Sequence, residues 1–361
     1  MSSNWGNKVR FSLFGESHGA AIGGVIDGLP PGIELDLELV KKEMDRRKPG
    51  SDPYSTKRKE DDSFEIISGF FNGYTTGTPL AFIIRNKDNR SKDYSKLKDV
   101  MRPGHADHTG SIRYLGFNDY RGGGHFSGRI TAPLVFYGAV AKQILYDNYD
   151  IRIFSRIKSI SQVTDKDLDH LSADIEDLSK TLSNKKIPVL DSEQGKKMEE
   201  VIEDAKNSMD SVGGVIECMA FNVPAGYGMP FFESLESKIA HLIFSVPATK
   251  GLEFGKGFDI SKMKGSKAND SFYYDKENRL KARSNNNGGI LGGITNGLPV
   301  VFSAAIKPTA SISKEQDTID IKNRQNTKLT VTGRHDPCIV PRALPVMESC
   351  MAIALLELLL V

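Results

Sequence analysis

The sequence predicts a single mixed α/β domain, on three observations. The chain has 361 residues, a length that allows one large domain or two ordinary ones. No break in composition marks a linker, and no segment recurs at a fixed period. Strand-like apolar runs alternate along the chain with segments of helical spacing. Hydrophobic residues make up 39% and charged residues 26%, which excludes a chain disordered as a whole. Lys+Arg 48 against Asp+Glu 46 leaves a net charge of +2. That balance argues against a nucleic-acid or membrane-surface binder, which carries a charged stripe.

The elements follow in order. Residues 10–30 read as a strand and turn, with Ile22, Val25 and Ile26 set among glycines. Asp36 is placed to cap a helix in which Leu37, Val40 and Met44 repeat at helical spacing, and Pro49-Gly50 stops it. Residues 63–85 read as a hairpin around Asn72-Gly73, a strong turn dipeptide. Residues 129–146 are helical and largely apolar. The lysine-rich stretch 157–210 is expected as a polar surface excursion. Val215–Phe221 reads as a strand, Leu235–Val246 as a helix with an apolar face, and Val300–Ile306 as a buried strand. Residues 261–289 are polar and rich in turn formers, so a mobile loop, a lid, is expected there. Cys350–Val361 is expected as a buried helix, being shorter than the ~20 residues that cross a bilayer. Three distant cysteines, Cys218, Cys338 and Cys350, fit neither a disulfide framework nor zinc spacing. With no apolar leader at the N-terminus, a soluble cytoplasmic protein is expected.

The 34 glycines exceed the typical ~7% of a chain and cluster around charged residues. Gly15-Glu16-Ser17-His18-Gly19 offers a hydroxyl and a histidine between residues that let backbone N–H groups approach a ligand. A tight turn with a satisfied histidine is the competing reading. In Arg102-Pro103-Gly104-His105-Ala106-Asp107-His108, His105 and Asp107 share a face if extended, as in a metal or acid/base pair. Alternatively Asp107 opens a helix or turn and His108 faces solvent. Arg121-Gly122-Gly123-Gly124-His125-Phe126-Ser127-Gly128-Arg129 runs into a helix, as a phosphate cradle does, but lacks the ending of a Walker loop. Gly288–Gly293, Lys307-Pro308-Thr309-Ala310-Ser311 and Gly333-Arg334-His335-Asp336-Pro337-Cys338 complete the set. Arg46, Arg47 and Lys48 end the first helix, where cations offset the helix dipole in any case. Together these segments supply arginines, histidines, serines and an aspartate on pliable backbone. That is equipment for a multiply anionic ligand with proton donors nearby.

The combination resembles the chorismate synthase family. Further matching segments are Asp27-Gly28-Leu29-Pro30-Pro31-Gly32, Asp45–Gly50 and Thr75-Thr76-Gly77-Thr78-Pro79, and the series spans nearly the whole chain in the family's order. The resemblance implies an α+β fold, a single-domain β-α-β sandwich with a helical layer between two antiparallel sheets, assembled as a homotetramer. It implies conversion of 5-enolpyruvylshikimate 3-phosphate to chorismate by 1,4-anti elimination. Reduced FMN is required without net redox change. By resemblance His18 protonates the leaving phosphate, His105 stabilises the reduced flavin, and Asp336 relays the substrate proton, with Ser17 and Ser127 beside it. Flavin contacts carry over to His125, Phe126, Ser127, Pro247, Ala248, Gly292, Lys307, Pro308, Thr309, Ala310, Ser311 and Arg334, and anion contacts to Arg46, Arg47, Arg129 and Arg334. His125 stands where many members have arginine. Pro53 stands near where some have an arginine tied to NADPH, so an external flavin reductase is the expected electron source. Two other classes compete. One is a metal-dependent phosphohydrolase using His105, Asp107 and His108. The other is an anion- or RNA-binding protein, which the +2 charge disfavours.

Overall fold

The computed structural model describes residues 3–50, 62–86, 97–183, 185–331 and 336–360. Pro53 and Arg334 lie outside them. Among the described residues two five-stranded sheets form, both with antiparallel pairing throughout. The first runs in the order Asn4–Trp5, Arg10–Gly15, Ala21–Asp27, Leu80–Arg85 and Phe64–Ser68. The second runs Thr249–Phe254, Val300–Ile306, Gly214–Phe221, Arg152–Ile160 and Val163–Thr164. The helices are α1 (Leu37–Arg47), α2 (Asp107–Arg113), α3 (Thr131–Tyr149), α4 (Ile175–Ser183), α5 (Ser192–Asn207), α6 (Leu235–Ser245), α7 (Gly265–Ala268) and α8 (Val340–Leu359). A six-residue turn, Arg121–Phe126, and a three-residue 3-10 turn, Gly128–Ile130, lead into α3.

Helix α3 lies against the strands Arg10–Gly15 and Ala21–Asp27, while α8 packs along α3 and against Arg152–Ile160 and Gly214–Phe221. Their near-continuous apolar sequences follow from that position, since neither helix keeps a solvent face until the last turn of α3. The Phe82 ring of the first sheet stacks on Phe136 of α3 at 3.7 Å between centroids, and Phe11 meets Tyr137 at 4.9 Å. The helices cross closely at Gly138, where an added Cβ would stand 2.1 Å from the Ser349 Cβ.

Several expectations are met in detail. The Asp36 carboxylate accepts from the N–H groups of Glu38 and Leu39 at 2.9 and 3.2 Å, and Val40 and Met44 are buried. The 63–85 hairpin forms, and Asn72 and Gly73 both take positive φ, 48° and 89°, as a type I′ turn requires.

Two expectations are corrected, and a third gains structural detail. The C-terminal helix begins at Val340, not near Cys350; Pro341 fits within its first turn, where no N–H partner is needed. The stretch 157–210 is not wholly surface. Ile157 and Ile160 are buried in the second sheet, and α5 turns Met198 and Ile202 into the core beneath its lysines. A buried cation holds this region down: Arg156 donates to Glu217 at 2.7 Å, and to Asp165 and the Lys166 carbonyl at 2.8 Å. Residues 261–289 carry regular structure, including α7 and the hairpin Phe272–Tyr274 with Leu280–Ala282. Asp270 pins its base, accepting from Ser284, the Asn286 N–H and both N–H groups of Asn287 at 2.6–2.9 Å.

Candidate active site

Three consecutive glycines organise the site. Gly122, Gly123 and Gly124 have φ of 58°, 84° and 54°, a run that side chains disfavour. A Cβ on Gly122 would lie 2.1 Å from His18 Nδ1 and 2.9 Å from Ser17 Oγ. One on Gly123 would lie 3.1 Å from His105 Nε2. The bare backbone therefore separates the two histidines that the sequence places 87 positions apart. The Ser17 N–H donates to the Gly124 carbonyl at 3.1 Å, which locks the first turn to the glycine run. Ser17 and His18 are both buried, and Ser17 Oγ has no hydrogen-bond partner among the described residues. Burial pushes the neighbouring Glu16 carboxyl up, with His125 opposing.

His105 is held from its Nδ1 side. Asp107 Oδ1 stands 2.6 Å from that nitrogen, and Arg102 Nη2 is 3.0 Å away. Assigning the proton to Nδ1, so that it donates to Asp107, leaves Nε2 facing the glycine run. Arg102 also donates to both Asp107 oxygens at 2.7 Å. Burial opposes ionisation of Asp107, but hydrogen bonds from Arg102 and His105 outweigh it and hold the carboxyl well below its usual range. Asp107 thus opens α2 as an orienting partner, and His108 is exposed. The phosphohydrolase reading is not supported. Asp107 is engaged by Arg102 and His105, and among the described residues no group of three or more His, Cys, Asp or Glu could hold a metal ion.

The segment Lys307 to Ser311 closes this side. Arg102 Nη1 donates to Ser311 Oγ at 3.1 Å, Lys307 Nζ donates to the Gly104 carbonyl, and Ala310 packs near Gly104. Thr309 Oγ1 donates to the Asp336 carbonyl at 3.0 Å; Pro308 is exposed. Lys307 also ties in Ala248, donating its N–H to the Ala248 carbonyl at 2.9 Å. Ala248 has φ of 74°, a left-handed conformation that costs a non-glycine residue energy.

The remaining acid and two of the arginines, Arg47 and Arg129, belong to one chain. Asp336 pairs with Arg342 in the first turn of α8, and Arg342 Nε donates to the Arg47 carbonyl at 3.1 Å. Arg47 and Arg129 are buried and pair with opposite oxygens of one carboxylate, Asp62. Arg129 Nε donates to Asn86 Oδ1 at 3.2 Å, and the Asn86 amide donates to the carbonyls of Glu16 and Gly19 at 3.0 and 2.9 Å. The chain thus ends on the turn that carries Ser17 and His18.

Other residues take different positions. His125 Nδ1 lies 2.8 Å from the Gly15 carbonyl and Nε2 lies 3.3 Å from Ser3 Oγ. The Phe126 ring covers Gly110, and Ser127 Oγ accepts from the Arg129 N–H at 3.3 Å as a cap. Pro247 and Gly292 are exposed; a Cβ at Gly292 would meet open space. Arg46 is turned elsewhere. It grips buried Glu348 with a two-pronged bond of 2.7 and 2.8 Å and also reaches Glu43. The sequence reading missed Arg102, Arg342, Asn86 and Asp62. Arg102 was legible in the segment containing His105. The other three carry no motif of their own: Asn86 and Asp62 meet partners from other segments, and Arg342 joins Asp336, six residues earlier, to the Arg47 carbonyl.

The family model described as chorismate synthase matches residues 9–360. The chain is similar to the chorismate synthase of Methanocaldococcus jannaschii, 43% identical over 367 residues, covering 100% of this chain and 97% of that one. It is 47% identical to that of Pyrococcus abyssi over 355 residues, covering 98% and 97%. A solved structure titled "Crystal Structure of Chorismate Synthase" superposes with a TM-score of 0.75 at 29% identity, over 99% of this chain and 93% of that one. With a family match along almost its whole length and relatives of this identity, the chain belongs to the chorismate synthase family.

Proposed function

We propose that the protein converts 5-enolpyruvylshikimate 3-phosphate to chorismate and inorganic phosphate by 1,4-anti elimination, the shikimate-pathway step that leads to aromatic amino acids. The observation that carries this reading is the convergence of His18 and His105 on the Gly122–Gly123 backbone, one hydrogen-bonded chain away from two buried arginines. Elimination of phosphate asks for these groups: an acid for the leaving oxygen, a base for the carbon-bound proton, and cations for the anions. His18 would donate to the phosphate oxygen as the C–O bond breaks. Asp336 would accept the proton lost from the ring carbon and pass it on. Arg47 and Arg129 would hold substrate anions, joined by Arg334. Arg46 would reach a ligand only by leaving Glu348 and Glu43.

The residues present fit reduced FMN. Glycines that a Cβ would block, the buried Ser17 hydroxyl and the open face at Gly292 suit a flat polar ring, and Lys307 suits its phosphate. His125, Phe126, Ser127, Pro247, Ala248, Gly292, Lys307 to Ser311 and Arg334 would hold it. When bound, the reduced flavin supplies electron density and a basic ring nitrogen. His105 with both ring nitrogens protonated, its Nδ1–H held by Asp107, would donate its Nε2–H to charge at the ring edge. The fold description that belongs with this reading is a β-α-β sandwich, supported by α3 facing one sheet and α8 the other. An external reductase as electron source, a homotetramer, a cytoplasmic location and a lid formed by 261–289 complete the proposal. Among the described residues, no helix is long and apolar enough to cross a membrane.

The test is an air-free assay with dithionite-reduced FMN and the enolpyruvyl substrate, following chorismate absorbance. Product should form only with reduced flavin. Binding of both ligands without product would overturn the reading.

A further inference from the structure

Asp62 occupies an unusual position for a carboxylate at a site built for anions. It is 3% exposed, and each of its oxygens faces a different guanidinium, Arg47 at the end of α1 and Arg129 in the turn before α3. Those arginines are themselves 2% and 6% exposed. Two planar cations brought from remote parts of the chain onto one buried point form the receptor geometry expected for an oxyanion. The receptor lies between the groups assigned to proton transfer. Through Asn86 it reaches the Ser17–His18 turn, and through Arg342 it reaches Asp336. Asp62 also has φ of 46°, so the backbone is bent into the left-handed region where it delivers this carboxylate.

A ligand that engages the two arginines must first displace a tethered anion. A short tether keeps Asp62 at an effective concentration in the ~mM range. A monocarboxylate would replace like with like and gain nothing against that competitor. A phosphoryl dianion brings a second charge and a third acceptor oxygen, and can win the exchange. We propose that Asp62 is a specificity-determining residue, a built-in competitor that makes the Arg47–Arg129 pair select a phosphoryl group and reject a simple carboxylate. This rests on the reading of Arg47 and Arg129 as substrate-anion contacts.

The experiment uses the full chain, with inorganic phosphate and acetate as probes at constant ionic strength and neutral pH, read by calorimetry. Asp62→Asn keeps the shape and removes the charge. Phosphate should bind the variant about tenfold more tightly than wild type, the gain from removing a tethered competitor. Acetate should compete with phosphate in the variant and not in the wild type. Phosphate affinity that is unchanged or weaker in Asp62→Asn would overturn the proposal and leave Asp62 as a structural clamp. Acetate competing equally in both proteins would overturn it as well. A measurement on wild type guards against a poorly folded variant: phosphate should speed amide hydrogen exchange at residues 62–66, and unchanged exchange there counts against displacement. Arg129→Lys separates the two readings. If it fails to weaken phosphate binding, the arginines are not the anion site and the proposal falls with them. If it weakens binding while Asp62→Asn changes nothing, only the role of Asp62 is lost.

Discussion

Asp336 shows how a near neighbour can tie a single residue to a distant part of the chain. Its ion-pair partner Arg342 lies one element later, in α8, and Arg342 in turn holds the Arg47 carbonyl. Proton acceptance requires a carboxylate, so Asp336→Asn should reduce turnover by at least ~10²-fold while FMN and substrate still bind. Flavin binding and single-turnover rate measured on one preparation decide it; an unchanged rate per bound flavin refutes the role. Gly122 makes the complementary case. Alanine there would be strained at φ 58° and would drive a methyl group into the His18 ring. Gly122→Ala should therefore cost turnover on the ~10²-fold scale of a lost proton donor, with the far-ultraviolet circular dichroism retained. Near-normal turnover would mean that His18 is not positioned by this glycine. The histidines and glycines were legible in the sequence because they occur in dense local motifs. Asp62, Asn86 and Arg342 were not, since an ion pair leaves no periodicity.

At the scale of elements, amphipathic pattern was readable wherever one face meets water and ambiguous elsewhere. Helix α1 followed from its cap and its spacing. Helix α8 is buried on nearly every side, so nothing in its first half distinguished helix from strand. Its contact with α3 rests on Gly138, and Gly138→Ala would force the two helices apart at Ser349. Overpacking of this kind costs roughly 1–3 kcal/mol, to be read as a lower denaturation midpoint. A midpoint equal to wild type would show that the crossing tolerates a methyl group. The hairpin Phe272–Tyr274 with Leu280–Ala282 presents mostly exposed residues above the Asp270 anchor. Such an element has few packed contacts to hold it closed by itself. FMN and substrate together should slow amide exchange across 261–293, and identical exchange with and without both ligands would remove the lid.

Around its hydrophobic core the molecule buries several carboxylates against cations, which makes its stability depend on pH. Burial opposes ionisation of Asp62, yet Arg47 and Arg129 lower it from 3.8 to about 2. Glu217 is likewise desolvated, but His170 and Arg156 lower it from 4.5 to about 2. Glu348, bound by Arg46 and Lys142, is also shifted strongly downward against its burial. Each folded-state value lies below the unfolded one, so each contribution is present in full above about pH 4.5 and is lost as the pH falls toward 2. Asp62 should account for on the order of 2 kcal/mol of that loss and Glu217 for on the order of 3 kcal/mol. Denaturant midpoints between those pH values should fall steeply, and Glu217→Gln should flatten the slope; a slope the variant leaves unaltered would remove Glu217 from the account. By itself the sequence determined the mixed helix and strand content, the hairpin at Asn72-Gly73, the cap at Asp36 and the glycine-flanked histidines. These depend on backbone conformations and repeats that neighbouring residues encode. Only the tertiary structure decided that Arg46 faces Glu348 while Arg47 faces Asp62, although the two are adjacent. Successive residues on a helix point about 100° apart, and which partner each meets depends on what other elements bring to that side.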